Sequence, residues 1–185
     1  LALGKLEPVA IQIAAMTGNP APRLKDKAVV LFAADHHIAD HGLSLTSTDV
    51  TYIQTRNFLQ GGGTINAFTR NAGARLSVVD VGVNYDFGDL PGLVKRKVMH
   101  GASDFSRGPA MTREQALECL QVGIDMAREE KARGLDIVAA GEMGIGNTTP
   151  SSAIVAVLTG TPVETVTGRG SGVKGEVIRK KIELI

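Results

Sequence analysis

Apolar residues along the chain alternate between short continuous runs and stripes at helical spacing. Residues 27–35 (KAVVLFAAD) and 75–83 (RLSVVDVGV) are apolar runs between polar flanks, which is typical of strands buried in a parallel sheet. Residues 135–140 (LDIVAA) predict a third strand, and residues 88–108 a loop-rich segment. Residues 6–16 are apolar at helical spacing and end at a Gly-Asn-Pro cluster, which predicts a helix and its stop.

Two further helices carry signals at their ends. Thr112 and Gln115 have the spacing of a capping box, and Gly134 is a natural stop. The pattern predicts that an apolar face of this helix packs on the core, and its members are Leu117, Leu120, Ile124 and Ala127. For the helix after the third strand, we expect Thr148 or Thr149 as the cap, Pro150 in the first turn and Gly160 at the end.

Strands that alternate with helices predict an α/β fold, with a parallel Rossmann-like sheet flanked by helices. We expect residues 1–26 to form an N-terminal helical segment and residues 27–185 to form an α/β nucleotide-binding domain. The sequence opens on Leu1 and stops at Ile185, each inside a helical pattern. We therefore expect a chain that is incomplete at both ends.

Three acidic residues lie at or near the ends of predicted strands: Asp35, Asp80 and Glu142. Ligands of parallel α/β sheets bind beyond the carboxyl ends of the strands. We therefore expect these carboxylates to converge on one edge of the sheet.

The stretch GEMGIGNTT, residues 141–149, joins the third strand to the next helix. Glycines let a loop approach a ligand closely, and a helix N-terminus attracts anions. Asn147, Thr148 and Thr149 add side-chain donors, and no lysine follows the glycines as it would in a triphosphate-binding loop. The pattern favours a single phosphate, with Glu142 facing a ribose hydroxyl or a cationic ring; the alternative is a plain strand-to-helix turn.

Two other polar segments are candidates for a functional role. Residues 168–172 (GRGSG) follow a predicted strand and could form a second loop at the same edge. Residues 35–41 contain Asp35, His36 and His37 with a further Asp and His, which would suit a metal-dependent phosphoesterase. The alternative for this segment is a polar loop with solvated histidines.

Composition limits the partners of the chain. Aromatic residues make up 4%, Trp is absent and the formal charge is +1, which argues against a nucleic-acid partner. No apolar run reaches the ~18–20 residues that cross a bilayer, and no signal peptide is visible. The only cysteine is Cys119, so we expect no disulfide and a cytoplasmic location.

Several stretches together resemble one family, in the same order along almost the whole chain. They are LGKLE, AADHHIADHGLS, DVTYIQTRNFLQGGGTIN, GARLSVVDVGV, GPAMTREQA, GEMGIGNTTPSSA and TGRGSG. The chain is thereby similar to the nicotinate-nucleotide–dimethylbenzimidazole phosphoribosyltransferases of cobalamin lower-ligand synthesis. The resemblance implies transfer of the phosphoribosyl group of nicotinate mononucleotide to 5,6-dimethylbenzimidazole or a related base, giving α-ribazole 5′-phosphate and nicotinate.

The resemblance also implies roles for individual residues. It assigns Glu142 as the acid of the nucleotide site, and it makes Asp35 the family's strand-end aspartate. Thr46 and Gln54 would line the benzimidazole pocket. The phosphate and ribose would be bound by Gly144, Gly146, Asn147, Thr148, Thr149, Gly170 and Lys174. Lys180 or Lys181 could take the place of Lys174 as the phosphate-binding lysine. The resemblance implies a homodimer, and it implies neither a metal nor a cofactor.

Two departures from the family pattern change the expectation. His37 stands where the family usually has glycine, which could shift the choice of base. The family's main general base lies in a C-terminal part beyond Ile185, so we expect these residues alone to be catalytically impaired. Two other readings stay open, namely the phosphoesterase and a non-catalytic nucleotide-binding module.

Overall fold

The strands of the chain form one parallel sheet, as the sequence predicts. The computed structural model describes residues 2–185. Its strands are β1 (Lys27–Ala34), β2 (Ala74–Gly82), β3 (Leu93–Lys95) and β4 (Ile137–Met143), in the order β3-β2-β1-β4. All pairs are parallel, so the α/β class with a parallel sheet is confirmed.

Helices cover both faces of this sheet. They are α1 (Leu6–Thr17), α2 (Val50–Leu59), α3 (Thr64–Ala72), α4 (Arg113–Ala132), α5 (Thr148–Thr159), α6 (Val163–Val166) and α7 (Glu176–Leu184), with a 3₁₀ helix at His37–His41. Val30 and Val79 pack with Met126 of α4 on one face. Their neighbours Leu31 and Val78 point to the other face, where they meet side chains of α2 and α3. The alternation along β1 and β2 therefore builds a three-layer arrangement.

Helix α4 begins as predicted but buries a different face. Thr112 Oγ1 accepts a hydrogen bond from the Gln115 N–H at 3.2 Å, and the Gln115 side chain accepts one from the Thr112 N–H at 2.9 Å. Gly134 follows the helix with a φ of +85°. The predicted core face is wrong, because the side chains of Leu117, Leu120 and Ile124 are 53%, 65% and 47% exposed. Ala127 is exposed as well.

The face of α4 that packs on the sheet contains Val122, Met126 and Glu130. Glu130 is fully buried, and its carboxylate accepts hydrogen bonds from Ser77 Oγ at 2.7 Å and Arg75 at 3.1 Å. Arg133 adds a third contact at 3.0 Å. Since a buried charge must be paired, this network lets an acidic residue occupy a core position, which apolar periodicity cannot detect.

Some apolar surfaces stay exposed. Strand β4 is an outer strand, with a neighbour on one side only, and its residues Ile137 and Val138 are 45% and 47% exposed. Val157 and Leu158 of α5 are almost fully exposed, and α1 has no buried side chain. The division between residues 1–26 and 27–185 stays a prediction. Within residues 2–185, none of the helices combines the length and apolarity that a bilayer-crossing segment requires.

Two local segments differ from expectation. The loop-rich segment at residues 88–108 also contains the short strand β3, which pairs with β2. The prediction of a strand before residues 168–172 is wrong, because the chain forms the one-turn helix α6 there, with Pro162 at its N-terminal boundary. Val and Thr are common in strands, but the preference is worth at most about 1 kcal/mol and depends on the surroundings, so it does not decide the structure here.

His37 joins the 3₁₀ helix to the loop before α4. Its Nδ1 lies 3.2 Å from Asp40 Oδ2, and its Nε2 lies 3.2 Å from the His100 carbonyl oxygen. Both neighbours are acceptors, so only the doubly protonated ring can donate to both. The hydrogen bond to Asp40, then the His100 carbonyl and the nearby Asp35 charge, raise the pKa of His37 despite its partial burial.

The corrected face of α4 can be tested by paired truncations. We expect Met126→Ala to lower the free energy of unfolding by about 2–4 kcal/mol, because it leaves a cavity between α4 and the sheet. The matched variant Leu120→Ala removes an exposed side chain and should cost less than about 1 kcal/mol. Urea denaturation of both variants measures this, and equal costs would contradict the packing described.

The His37 contacts predict a pH-dependent contribution to stability. Because the folded-state pKa is raised, the contribution is complete below the unfolded pKa of about 6.5 and is lost as the pH rises through the folded value. Wild type should therefore exceed His37→Gln in Tm at pH about 5.5, by on the order of 1–3 °C, and the gap should close by pH about 8.5.

His100→Gln is the matched control for this measurement, since His100 contributes only its backbone carbonyl to the contact. A gap between wild type and His37→Gln that does not change with pH would refute the assignment.

Candidate functional site

The parallel register brings the predicted acidic residues to one edge of the sheet. Ala33 of β1 pairs with Asp80 of β2, and Phe32 pairs with Glu142 of β4, while Asp35 directly follows β1. The convergence on one edge is therefore confirmed. Asp80 is already engaged there, with Lys97 Nζ at 3.2 Å and the Val83 N–H at 2.9 Å. Glu142 and Asp35 retain free carboxylate oxygens.

Glu142 lies between two polar side chains at the end of β4. Its Oε2 accepts a hydrogen bond from Asn147 Nδ2, and its Oε1 lies 3.9 Å from His36 Nε2. The Glu142 side chain is 49% exposed. Gly144 closes the turn beside it, and a Cβ on Gly144 would lie 2.3 Å from the Ala34 carbonyl oxygen. Only glycine fits at this close approach of β1 and the loop.

The loop that follows Glu142 winds tightly into α5. Gly146 has a φ of +85°, and a Cβ on it would lie 2.6 Å from the Ala39 Cβ. Asn147, not Thr148 or Thr149, stands at the N-cap position, and its side chain contacts Glu142 instead of the helix backbone. The cap prediction is wrong because Thr148 is already the first residue of α5, and the Glu142 contact leaves the helix without a side-chain cap. Pro150 in the first turn and Gly160 at the end agree with the prediction.

The backbone of this loop offers fewer free donors than the sequence suggests. The N–H groups of Asn147 and Thr149 donate to the carbonyls of Gly144 and Gly146 at 3.1 and 3.0 Å. Pro150 has no N–H. Thr149 is fully buried, and its Oγ1 has no hydrogen-bond partner among the residues described. An anion at this helix terminus would need a cationic side chain as well.

Lys181 of α7 supplies such a cation. Its side chain is 1% exposed, and its Nζ donates to Thr148 Oγ1 at 2.8 Å and to the Gly168 carbonyl at 3.3 Å. Both acceptors are neutral, and no carboxylate in residues 2–185 forms an ion pair with it. Burial lowers the pKa of Lys181 accordingly. A buried ammonium without an acidic partner indicates a binding site for an anion.

Residues 168–172 lie against the same point, as a loop. Gly170 has a φ of +52°, and a Cβ there would lie 2.7 Å from Thr148 Oγ1 and 3.5 Å from Lys181 Nζ. Glycine therefore lets this loop close over the Lys181–Thr148 contact.

The other two candidate lysines lie elsewhere. Lys174 is exposed, and Lys180 Nζ donates to the His41 carbonyl at 2.7 Å. Among the alternatives kept open by the sequence, Lys181 alone contacts the GEMGIGNTT loop. The sequence does contain a signal that Lys181 faces inward, because it lies at i+4 between the apolar residues Val177 (i) and Leu184 (i+7) of α7.

Gln54 and Glu142 line one open cavity of about 450 Å³, whereas Thr46 does not. Gln54 Oε1 accepts from Asn57 Nδ2 at 3.0 Å. Thr46 is an exposed loop residue whose Oγ1 lies 3.4 Å from Ser44 Oγ. The cavity is bounded mainly by apolar groups: Leu31, Phe58, Ile65 and Met143. Its size and lining suit a small planar aromatic ligand.

Asp35 is 7% exposed and keeps one unpartnered carboxylate oxygen. Its Oδ2 accepts from the Asn84 N–H at 2.8 Å, while Oδ1 has no partner among the residues described. Asn84 carries no sequence signal, because it follows β2 in a loop and contributes only its backbone.

The Asp35-His36-His37 run does not gather around one point. Asp35 contacts Asn84, His36 turns toward Glu142 and His37 toward Asp40. No group of three or more His, Cys, Asp or Glu side chains within residues 2–185 is arranged to hold a metal ion. This geometry gives the phosphoesterase alternative no support.

Comparison with known proteins gives one consistent result. The family described as "Phosphoribosyltransferase" matches residues 1–185. The nicotinate-nucleotide–dimethylbenzimidazole phosphoribosyltransferase of Geobacter sulfurreducens is 51% identical over 183 residues, and that of a Roseiflexus species is 48% identical over 184. These alignments cover 99% and 100% of this chain.

Comparison with solved structures points to the same family. The crystal structure of CobT from Thermus thermophilus superposes with a TM-score of 0.95 at 46% identity, over 99% of this chain and 55% of that one. The chain spans about half the length of the relatives, since it covers 52% of the Geobacter and Roseiflexus proteins. By its sequence and its fold, the chain belongs to the nicotinate-nucleotide–dimethylbenzimidazole phosphoribosyltransferase family.

Proposed function

We propose that the chain carries the nucleotide site of an enzyme that transfers the phosphoribosyl group of nicotinate mononucleotide to 5,6-dimethylbenzimidazole or a related base. A benzimidazole nitrogen attacks C1′ of the ribose, the bond from C1′ to nicotinate breaks, and the configuration inverts. The products are nicotinate and α-ribazole 5′-phosphate. The proton lost by the attacking ring goes to a general base, which the family resemblance assigns to a part beyond these residues.

The observation that carries the proposal is the buried, unpaired ammonium of Lys181 at the start of α5. We infer that Lys181 and Thr148 bind the 5′-phosphate, with Thr149 and the Gly144, Gly146 and Gly170 turns shaping the site. A phosphate would supply the negative charge that this ammonium lacks, and charge-assisted hydrogen bonds are about twice as strong as neutral ones. Lys174 is too exposed to serve this purpose in the same way.

Glu142 is our candidate for contact with the ribose and the leaving group. Its carboxylate accepts a hydrogen bond from Asn147, and the next residue, Thr148, contacts Lys181. Consecutive Cα atoms are about 3.8 Å apart, so a cation and a carboxylate flank one short stretch of loop. Nicotinate mononucleotide has the matching order of charges, with a phosphate at one end and a pyridinium cation at C1′. We infer that Glu142 stabilises positive charge that develops on the ribosyl group.

For the attacking base, the cavity beside Glu142 is the best candidate. Gln54 and several apolar side chains line this cavity, and its volume of about 450 Å³ exceeds that of a benzimidazole ring system. Thr46 stays a prediction, because it does not line this cavity. Asp35 does not line it either, so its role as a substrate-binding residue also stays a prediction, and its Oδ1 is an acceptor without a partner among the residues described. The homodimer implied by the family resemblance and the cytoplasmic location expected from the sequence also stay predictions.

His37 is a weaker candidate for choosing the base than its departure from the family pattern suggests. Successive side chains of an extended segment point to opposite sides, and His36 has extended dihedral angles. His36 therefore faces Glu142, while His37 faces Asp40 and the His100 carbonyl. His37 does not line the cavity shared by Gln54 and Glu142. Its place in the fold is better explained as a joint between the 3₁₀ helix and the loop before α4.

The phosphate role of Lys181 has a direct test. Nicotinate mononucleotide should raise the Tm of the chain, and Lys181→Met should weaken its binding by more than about tenfold, because the cation that contacts Thr148 is removed. Lys174→Met keeps the same change in charge and side-chain shape and should bind as wild type does. Differential scanning fluorimetry and calorimetry measure both. Loss of binding in Lys174→Met with retention in Lys181→Met would reverse the assignment.

The catalytic role of Glu142 is tested by product formation. Protein, nicotinate mononucleotide, dimethylbenzimidazole and excess EDTA are mixed, and α-ribazole 5′-phosphate is detected by mass. We expect Glu142→Gln to lower the rate by about 10²–10³-fold, because a preorganised charge at the transition state is lost. A rate equal to that of wild type would exclude this role. Binding of nicotinate mononucleotide without any product would agree both with the catalytic impairment expected of these residues alone and with a non-catalytic nucleotide-binding module. The role of Glu142 would then be read from its affinity for nicotinate mononucleotide, which Glu142→Gln should lower.

A further inference from the structure

We propose that His36 is a positioning residue, which holds the Glu142 carboxylate against the ribosyl carbon by donating a hydrogen bond from Nε2 to Oε1. The proposal rests on the function proposed above, which it deepens. Glu142 would then be held at both oxygens, by Asn147 on one side and by His36 on the other.

One ring nitrogen of His36 lacks a hydrogen-bond partner. Its Nε2 is buried and has no partner among residues 2–185. Buried polar atoms in native proteins almost always have a partner, so an orphaned nitrogen beside a carboxylate requires an explanation. Glu142 Oε1, at 3.9 Å, is the acceptor that faces it. A movement of about 1 Å would bring the pair to ordinary hydrogen-bond length.

Gly144 keeps this path open. A Cβ on Gly144 would lie 2.9 Å from His36 Nε2 and 2.9 Å from Glu142 Oε1. Both side chains therefore border the space that a larger residue at position 144 would fill. With glycine there, nothing in the loop separates the imidazole from the carboxylate.

The backbone of His36 is held by hydrogen bonds, whereas its Nε2 has none among residues 2–185. His36 forms a β-bridge with Ala102, and its carbonyl accepts from the Ala39 N–H at 2.9 Å. The ring also borders an apolar cavity of about 580 Å³, whose wall includes Ile38, Phe105, Met111 and Ile154. The donor side of the contact is therefore shielded from water, since the His36 side chain is 19% exposed, while Glu142 stays open to a ligand at 49%.

A second hydrogen bond would fix the orientation of the Glu142 carboxylate. A carboxylate held by one hydrogen bond can still rotate, whereas two donors on different oxygens fix its plane. Electrostatic stabilisation of a developing cation depends on such preorganisation, since no reorientation is then needed during the reaction. His36 transfers no proton in this role; it keeps the ring proton on Nε2 throughout.

The experiment is a double-mutant cycle read by ligand affinity. His36→Leu removes the donor, and His36→Gln keeps a donor near the Nε2 position. Each is made with Glu142 and with Glu142→Gln. Calorimetry then measures binding of nicotinate mononucleotide, which carries the pyridinium cation, and of ribose 5-phosphate, which lacks it.

With Glu142 present, we expect His36→Leu to weaken binding of nicotinate mononucleotide by about fivefold and His36→Gln to restore most of the affinity. In the Glu142→Gln background, His36→Leu should have no further effect, and within each background His36→Leu should change the affinity for ribose 5-phosphate by less than about twofold. An equal effect of His36→Leu in both backgrounds, or on both ligands, would overturn the proposal, because a merely structural role predicts that result.

A second readout separates this inference from the proposed function. If neither ligand binds wild type, the proposed function fails, and the pair is then judged by ¹⁵N NMR of the chain alone. The ring nitrogens of His36 should shift in Glu142→Gln but not in Glu164→Gln, which alters an exposed glutamate on α6. Unchanged His36 resonances in Glu142→Gln would refute the contact.

Discussion

The buried ammonium of Lys181 is the interaction around which the candidate site is arranged. It joins three separate segments: α7 carries it, the first residue of α5 accepts one hydrogen bond, and the loop at Gly168 accepts another. Neutral oxygens alone compensate poorly for the loss of hydration of a charge. The folded chain therefore holds a positive charge in a place where an anion would be stabilised, which is the basis of the phosphate role proposed for Lys181.

The parallel sheet determines where the opposite charge stands. Because β4 runs parallel to β1 and in register with it, Glu142 emerges at the same edge as Asp35. The residues that follow return the chain to the N-terminus of α5, beside Lys181. Glycine at 144 and 146 is required for this short path, since a Cβ at either position would collide with β1 or with the 3₁₀ helix. Charge separation across the site thus follows from the sheet register and two small residues.

The sheet could be predicted from the sequence because a buried parallel strand leaves a continuous apolar run, as β1 and β2 do. The end signals of α4 could be predicted for a similar reason, since the capping box of Thr112 and Gln115 is a local interaction. The core face of α4 could not be predicted in this way. Glu130 is buried because Arg75 and Ser77, which are distant in sequence, pair with it. The apolar stripe on the other side of α4 is exposed because no other described segment covers it.

For the site, the sequence was informative wherever the chemistry is local. The GEMGIGNTT loop and the loop of Gly170 were found from glycine spacing and family resemblance, and they do lie together. The choice among the three lysines needed the fold, because helix α7 turns only Lys181 toward Thr148. The threonine caps were not confirmed for a different reason, because Asn147 takes the cap position and its side chain is bound by Glu142 of the same loop. The lysine is thus decided by a contact between segments that are distant in sequence, and the cap by a side-chain contact within the loop that capping rules do not describe.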